Sequence, residues 1–417
     1  MKKRIFVLFY LLLTFCGWTQ TSKTILTDNR INGSINKVVQ NSIKAFMNDT
    51  SRVGVSVGVY YNGKIFTYNY GSTEKEKSIK PSKNTIYEIG SITKTFTGTL
   101  LAQAVADKKI KLDDDIRKFL NGNYPNLAYN GQPIKLFQLI NHTSGLPFLL
   151  PDRKDIFQHS QDSISYFVTT IQSHYTKEKF LKDLHDVKLD TIPGVRFGYS
   201  NAGAQLLSFI LEKVYGISYE NLIKRYITIP EKMPNTKLNY SKNETEKFAK
   251  GYNGKGILMP YNPSMIGAAG KINSTVPDML HYIKFHLNES NPVIKLSHAT
   301  TFGDINNFAI GLNWQMNKTS DGYRRIWQSG GSFGFASYCV VYPELNIGIV
   351  LLSNEADQTA QGGLEAAAKK IFEGIIKASR TKTTANRRFG NMAGRRIYSQ
   401  ILFTNQLQFR QTNKAGQ

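Results

Sequence analysis

Strand-forming runs lie near both ends of this chain, and helical spacing fills the region between them. This arrangement constrains the fold more than any other feature. Near the N-terminus, residues 53–61 and 64–68 flank Asn62-Gly63, the strongest short hairpin signal. Near the C-terminus, residues 335–342 and 346–352 are apolar runs separated by Pro343-Glu344-Leu345, a second hairpin. Helical apolar spacing covers residues 35–47 and 202–214, the latter ended by Gly216. Residues 93–107 read as a helix that is apolar on most sides and therefore buried. Thr275-Val276-Pro277-Asp278 has the layout of a helix start, and residues 361–378 form a final amphipathic helix. Residues 152–190 give mixed, mostly helical signals. The expected class is α/β, in the form of an α+β sandwich. One antiparallel sheet is formed by the N- and C-terminal segments and flanked by helices, with a mostly helical region inserted. No internal repeat or low-complexity stretch interrupts this order.

The chain has 417 residues, enough for one large domain or two ordinary ones. Lys2, Lys3 and Arg4 precede a short apolar run, residues 5–15, and together they read as a secretory signal spanning residues 1–20. Lipid attachment at Cys16 is disfavoured, because bulky Phe15 stands where that signal wants a small residue. A secreted or periplasmic protein is expected, with no membrane span after signal removal. Its main domain would occupy residues 31–378. Cys16 and Cys339 make no disulfide framework. The net charge is +23, and residues 379–417 contain basic residues but no Asp or Glu. That tail reads as a solvated extension. No nucleic-acid-binding module is visible, so a nucleic-acid partner is not expected.

The candidate chemistry begins at Ser91-Ile-Thr-Lys94, a serine and a lysine on one turn at a helix start. There a hydroxyl lies near the positive end of the helix dipole. The spacing alone is weak, since Ser34/Lys37 and Ser379/Lys382 share it. Tyr199-Ser200-Asn201 follows a Pro-Gly turn and immediately precedes an apolar helix, which puts a phenol and an amide at a loop–helix junction. Gln328-Ser329-Gly330-Gly331 offers small residues before a strand, where a substrate can approach the backbone closely. Gly330-Gly331-Ser332-Phe333-Gly334 fits the nucleophile-elbow pattern, but residues 335–342 after it are strand-like, whereas that motif needs a helix there. The seven histidines have no metal-ligand spacing, and Lys271 lacks the context of a phosphate loop. No metal or cofactor is expected.

Taken in order, these elements resemble the serine β-lactamase family, in its class C β-lactamase, DD-peptidase and esterase branch. Ser91-Ile-Thr-Lys94 is similar to the first motif, Tyr199-Ser200-Asn201 to the second and Gln328-Ser329-Gly330 to the third. Leu139–Pro147, Gly267–Gly270 with Ser274–Met279, and Val350–Asn354 agree with further family segments. The resemblance implies a β-lactamase/transpeptidase-like fold and a serine hydrolase working through an acyl-enzyme on a β-lactam, a D-Ala-D-Ala-type peptide or an ester. It implies Ser91 as nucleophile, Lys94 with Tyr199 as a coupled base pair, and Asn201, Gln328, Ser329, Gly330 and Gly331 along the substrate. The oxyanion hole would be the N–H groups of Ser91 and Gly331. Tyrosine beside a lysine ammonium is expected to ionise more easily. Two departures stand out. Gln328 occupies a position where relatives carry Lys or His, and Phe148-Leu149-Leu150-Pro151 is apolar where cephalosporinases carry a polar residue. The alternatives are a carboxylesterase, or a non-catalytic envelope-binding protein on the same scaffold.

Overall fold

A computed structural model describes residues 25–263 and 267–380. The signal, Cys16 and the tail from residue 381 lie outside the described residues. Helix α1 (Ser34–Met47) leads into strands β1 (Gly54–Tyr61) and β2 (Lys64–Gly71). Their turn has φ 48° at Asn62 and 80° at Gly63, the mirror-image geometry that asparagine and glycine tolerate. The inserted region supplies α2 (Thr93–Ala106), α3 (Asn201–Tyr215) and α4 (Val276–Leu287). Strands β3 (Phe302–Asp304), β4 (Phe308–Ile310), β5 (Gln315–Lys318), β6 (Arg324–Gly331), β7 (Ala336–Tyr342) and β8 (Ile347–Ser353) come next. A last helix, α5, spans residues 360–380. It therefore runs two residues into the segment read as tail, and the Ser379 hydroxyl bonds the Tyr61 hydroxyl at 2.7 Å.

The eight strands form one sheet in the order β2-β1-β8-β7-β6-β5-β4-β3. The termini close it as expected, because β1 pairs antiparallel with β8, Val57 opposite Leu351. Strands β3, β4 and β5 were not legible in the sequence. They are short and partly polar, so their neighbours in the sheet, rather than local pattern, make them strands. The glycine-rich stretch is likewise the end of β6 itself, paired with β7 through Gly331 opposite Ala336.

Helices cover both faces of the sheet, which explains why β7 and β8 are buried at every position. Ile349 and Leu351 pack with Val39, Ile43, Leu364 and Ile371 of α1 and α5. Val350 and Leu352 point the other way, into a core shared with Val276, Leu280 and Ile283 of α4. Burying each such side chain stabilises the fold by roughly 1.5–3 kcal/mol. That second core continues into the helical region through Phe96 and Leu100 of α2 and Leu206 and Leu207 of α3. Helix α2 is thus enclosed on all sides, with residues 93–102 all buried. Among the described residues no helix is long and apolar enough to cross a membrane.

Candidate active site

The catalytic candidates converge where α2 begins. A two-residue strand, Tyr87–Glu88, pairs with Asn273–Ser274, and Ile89 N–H donates to the Ile272 carbonyl at 3.1 Å. The Ser337 hydroxyl of β7 donates to the Ile89 carbonyl at 2.8 Å. These bonds tie the residues before Ser91 to both the sheet and the helical region. Gly90 then turns the chain with φ 51°. A Cβ there would lie 2.6 Å from both the nitrogen and the oxygen of Gly331, so only glycine lets the end of β6 approach Ser91 this closely. A single tight turn, Gly90–Ile92, hands the chain to α2.

Lys94 is completely buried one turn further on, and its Nζ lies 3.1 Å from Ser91 Oγ. The same amine donates to the Ala269 carbonyl at 2.6 Å. Burial lowers the Lys94 pKa from 10.5 to about 7. Tyr199 reaches the serine from the other side, its hydroxyl donating to Ser91 Oγ at 2.6 Å. Lys94 Nζ sits 4.8 Å from the centre of the phenol ring. Burial raises the Tyr199 pKa to about 12, and the bond to Ser91 only partly opposes this. The expectation of an easily ionised phenol is thereby corrected. Desolvation of the phenol outweighs any help from the neighbouring amine, whose own pKa burial brings down to about 7.

Tyr199 is held by the helix it precedes. The Ser200 hydroxyl caps α3 by accepting from Gly203 N–H at 2.9 Å, and donates to the Pro147 carbonyl at 2.7 Å. Asn201, half-buried in the first turn, has its N–H fixed by the Phe148 carbonyl at 2.8 Å. Phe148 is 44% exposed and its ring centre lies 6.2 Å from that of Tyr199, so the apolar wall read from the sequence does stand beside the site.

The third motif is split. Gly330 packs under the Ile89 carbonyl, Ser329 is half-buried, and Gly331 is exposed beside Ser91's turn. Gln328, in contrast, is buried. Its amide accepts from Gln315 at 3.3 Å and donates to the Ser329 carbonyl at 2.9 Å. Ser332 lies in the turn between β6 and β7, next to the buried Glu88 carboxyl, with no helix after it. Ser34 and Lys37 occupy the first turn of α1, while Lys382 lies outside the described residues.

Three contributors were not foreseen. Ala269 supplies the carbonyl that anchors Lys94, and Ser337 braces the turn before Ser91. His142 lies against Tyr199 with ring centres 4.2 Å apart. The signals in the sequence were the runs Leu139–Pro147 and Gly267–Gly270, whose partners across the fold cannot be read from order alone. Among the described residues no cluster of His, Cys, Asp or Glu could hold a metal ion.

Known proteins resemble this chain in sequence and fold. The chain is 30% identical over 315 residues to Protein flp of Staphylococcus aureus, covering 72% of this chain and 59% of that protein. It thus spans about three fifths of the length of that relative. It is 24% identical over 361 residues to a β-lactamase of Pseudomonas fluorescens, covering 77% of this chain and 94% of the other. Among solved structures, a class C β-lactamase superposes with a TM-score of 0.68 at 24% identity, over 81% of this chain and 96% of that one. This likeness shows the fold. The Beta-lactamase family profile matches residues 39–371, and on that span the chain belongs to the β-lactamase family of serine hydrolases.

Proposed function

We propose that this protein hydrolyses a neutral ester or amide through an acyl-enzyme on Ser91. The observation that carries this reading is a serine oxygen held between a fully buried lysine at 3.1 Å and a tyrosine hydroxyl at 2.6 Å. A serine hydroxyl attacks only when a base removes its proton. Lys94, neutral above about pH 7, presents a lone pair to Ser91 while one of its N–H groups stays on Ala269. As Ser91 Oγ bonds the carbonyl carbon, its proton passes to Lys94. The carbonyl oxygen becomes an anion, cradled by the N–H groups of Ser91 and Gly331. Tyr199, still protonated, gives its proton to the leaving oxygen or nitrogen, and the Lys94 ammonium restores it. Water then enters, loses a proton along the same route in reverse, and releases Ser91. Asn201 orients the acyl portion.

The substrate side favours the ester reading over carboxylate-bearing β-lactams or peptides. Gln328 brings no charge and its amide is already engaged by Gln315 and Ser329. Exposed Phe148 and Phe197 on the Tyr199 side suit an apolar acyl group. The β-lactam reading draws its support from the Pseudomonas fluorescens relative. A secreted or periplasmic location, with residues 1–20 as signal and the catalytic domain from residue 31 onward, is part of the same proposal. The test is a hydrolysis panel of a short-chain nitrophenyl ester, nitrocefin and a D-Ala-D-Ala peptide, with fluorophosphonate labelling of wild type and Ser91→Ala. Turnover of the ester and loss of both labelling and turnover in Ser91→Ala are expected. Undiminished labelling of the variant would remove Ser91 from the mechanism, and ligand retention without turnover would favour a binding protein.

A further inference from the structure

We propose that His142 is a positioning residue for Tyr199, acting through the backbone on both sides of it; this rests on the hydrolase reading above. His142 is 4% exposed and sits on a loop with φ 65°, a conformation unusual for a residue with a side chain. That conformation turns two acceptors of one residue toward one short segment. The His142 carbonyl accepts from Gly198 N–H at 2.7 Å, and its ring Nδ1 accepts from Ser200 N–H at 3.3 Å. Between these two bonds the imidazole ring lies 4.2 Å from the phenol, while Phe197 meets the imidazole in a T-shaped contact at 5.9 Å. Residues 197–200 are therefore gripped at every position by a single histidine.

The hydrogen bond from Ser200 fixes the chemistry of the ring. Nδ1 can accept only if it carries no proton, so the proton is on Nε2, with the Asn313 side chain close to the ring. A second proton would break the bond to Ser200 and place a cation beside Lys94. Burial and the Lys94 charge push the imidazole down to about 3, so the ring stays neutral wherever the enzyme works. His142 touches no reacting atom. Its contribution is to keep the Tyr199 hydroxyl 2.6 Å from Ser91 Oγ, in a loop that Ser200 and Asn201 anchor from the helix side. Misplacing a catalytic group by about 1 Å typically slows a reaction by roughly a hundredfold.

The experiment is a double-mutant comparison on the full chain, with a short-chain nitrophenyl ester as substrate. His142→Ala should lower kcat by about tenfold to a hundredfold with KM little changed. In a Tyr199→Phe background the same change should lower kcat by less than about threefold, because there is no hydroxyl left to position. His142→Asn should stay within about tenfold of wild type, since its Oδ1 can replace Nδ1 as acceptor and asparagine tolerates the positive φ. An equal loss in both backgrounds would assign His142 a merely structural role and overturn the proposal. Should His142→Ala fail to fold, His142→Asn decides the matter: a folded variant more than about tenfold slower overturns it equally. Loss of the parent hydrolase reading would look different, since wild type itself would then show no Ser91-dependent labelling by fluorophosphonate.

Discussion

Lys94→Met isolates what the buried amine does to stability. Lys94 has no exposed surface, and burial lowers its pKa from 10.5 to about 7. In the unfolded chain the amine returns to its ordinary value. Between these two values the unfolded state binds a proton that the folded state has released. Stability therefore rises with pH through this window and is lost as pH falls toward 7. Methionine fills a similar volume and does not titrate. From about pH 7.5 to 9.5, the wild type should gain about 2–3 kcal/mol relative to Lys94→Met, close to one proton's slope. The whole gap corresponds to about 5 kcal/mol of destabilisation below pH 7, reduced by the bonds to Ala269 and Ser91 that the variant lacks. Urea unfolding at several pH values, followed by the fluorescence of buried Trp314 and Trp327, measures the difference, and other titrating groups cancel in it. The acid limb of kcat/KM should fall at the same pH, about 7. A stability difference that stays flat across the window would mean that Lys94 remains charged when buried, and its role as base would fall with it.

Tyr199→Phe should keep the fold and lower kcat by roughly a hundredfold to ten-thousandfold on the ester, because the proton donor 2.6 Å from Ser91 is gone; a fully active variant would take Tyr199 out of the mechanism. Gly90→Ala should lose about 1–3 kcal/mol in urea unfolding, from its φ of 51° and the clash with Gly331, and lower kcat as the oxyanion site opens. Wild-type values for that variant would show that the close approach is dispensable. His286 and His298 are buried, bonded to each other at 3.1 Å, and held neutral below the usual histidine range by burial. They take up protons less readily in the folded chain than in the unfolded one as pH falls below about 6.5, so stability present above that pH is progressively lost in acid. His286→Gln should therefore lose less melting temperature between pH 7.5 and 5 than wild type does; equal losses would refute the linkage.

The elements that the sequence revealed are those whose local pattern and tertiary role agree. Asn62-Gly63 enforces its turn wherever it lies, and Ser200 and Gly216 mark the ends of α3 through their own hydrogen bond and φ. Ser91-Ile-Thr-Lys94 was legible as a pair because residues three apart share a helical face. Strands β3, β4 and β5 were not, because their edge positions are polar and only pairing in the sheet extends them. Gln328 looked like a substrate contact from its place in the motif, yet its side chain is buried against Gln315, a residue of β5.

The sequence by itself determined the closure of one sheet by both termini, the helix that carries Ser91 and Lys94, and the residue types to which the proposed mechanism gives attack and proton transfer. It did so because hydrophobic period, turn chemistry and helical spacing are properties of neighbouring residues. The tertiary structure alone decided the electrostatics. Lys94 is an ordinary lysine in the sequence, and its pKa falls to about 7 only when α2 is enclosed on all sides; that of Tyr199 is pushed up for the same reason of desolvation. The hydrogen bonds that set the site, from the Ala269 carbonyl, the Ser337 hydroxyl and the His142 ring, join residues 58 or more positions apart in the chain. No local pattern encodes such approaches, because they exist only once the cores on both faces of the sheet have formed.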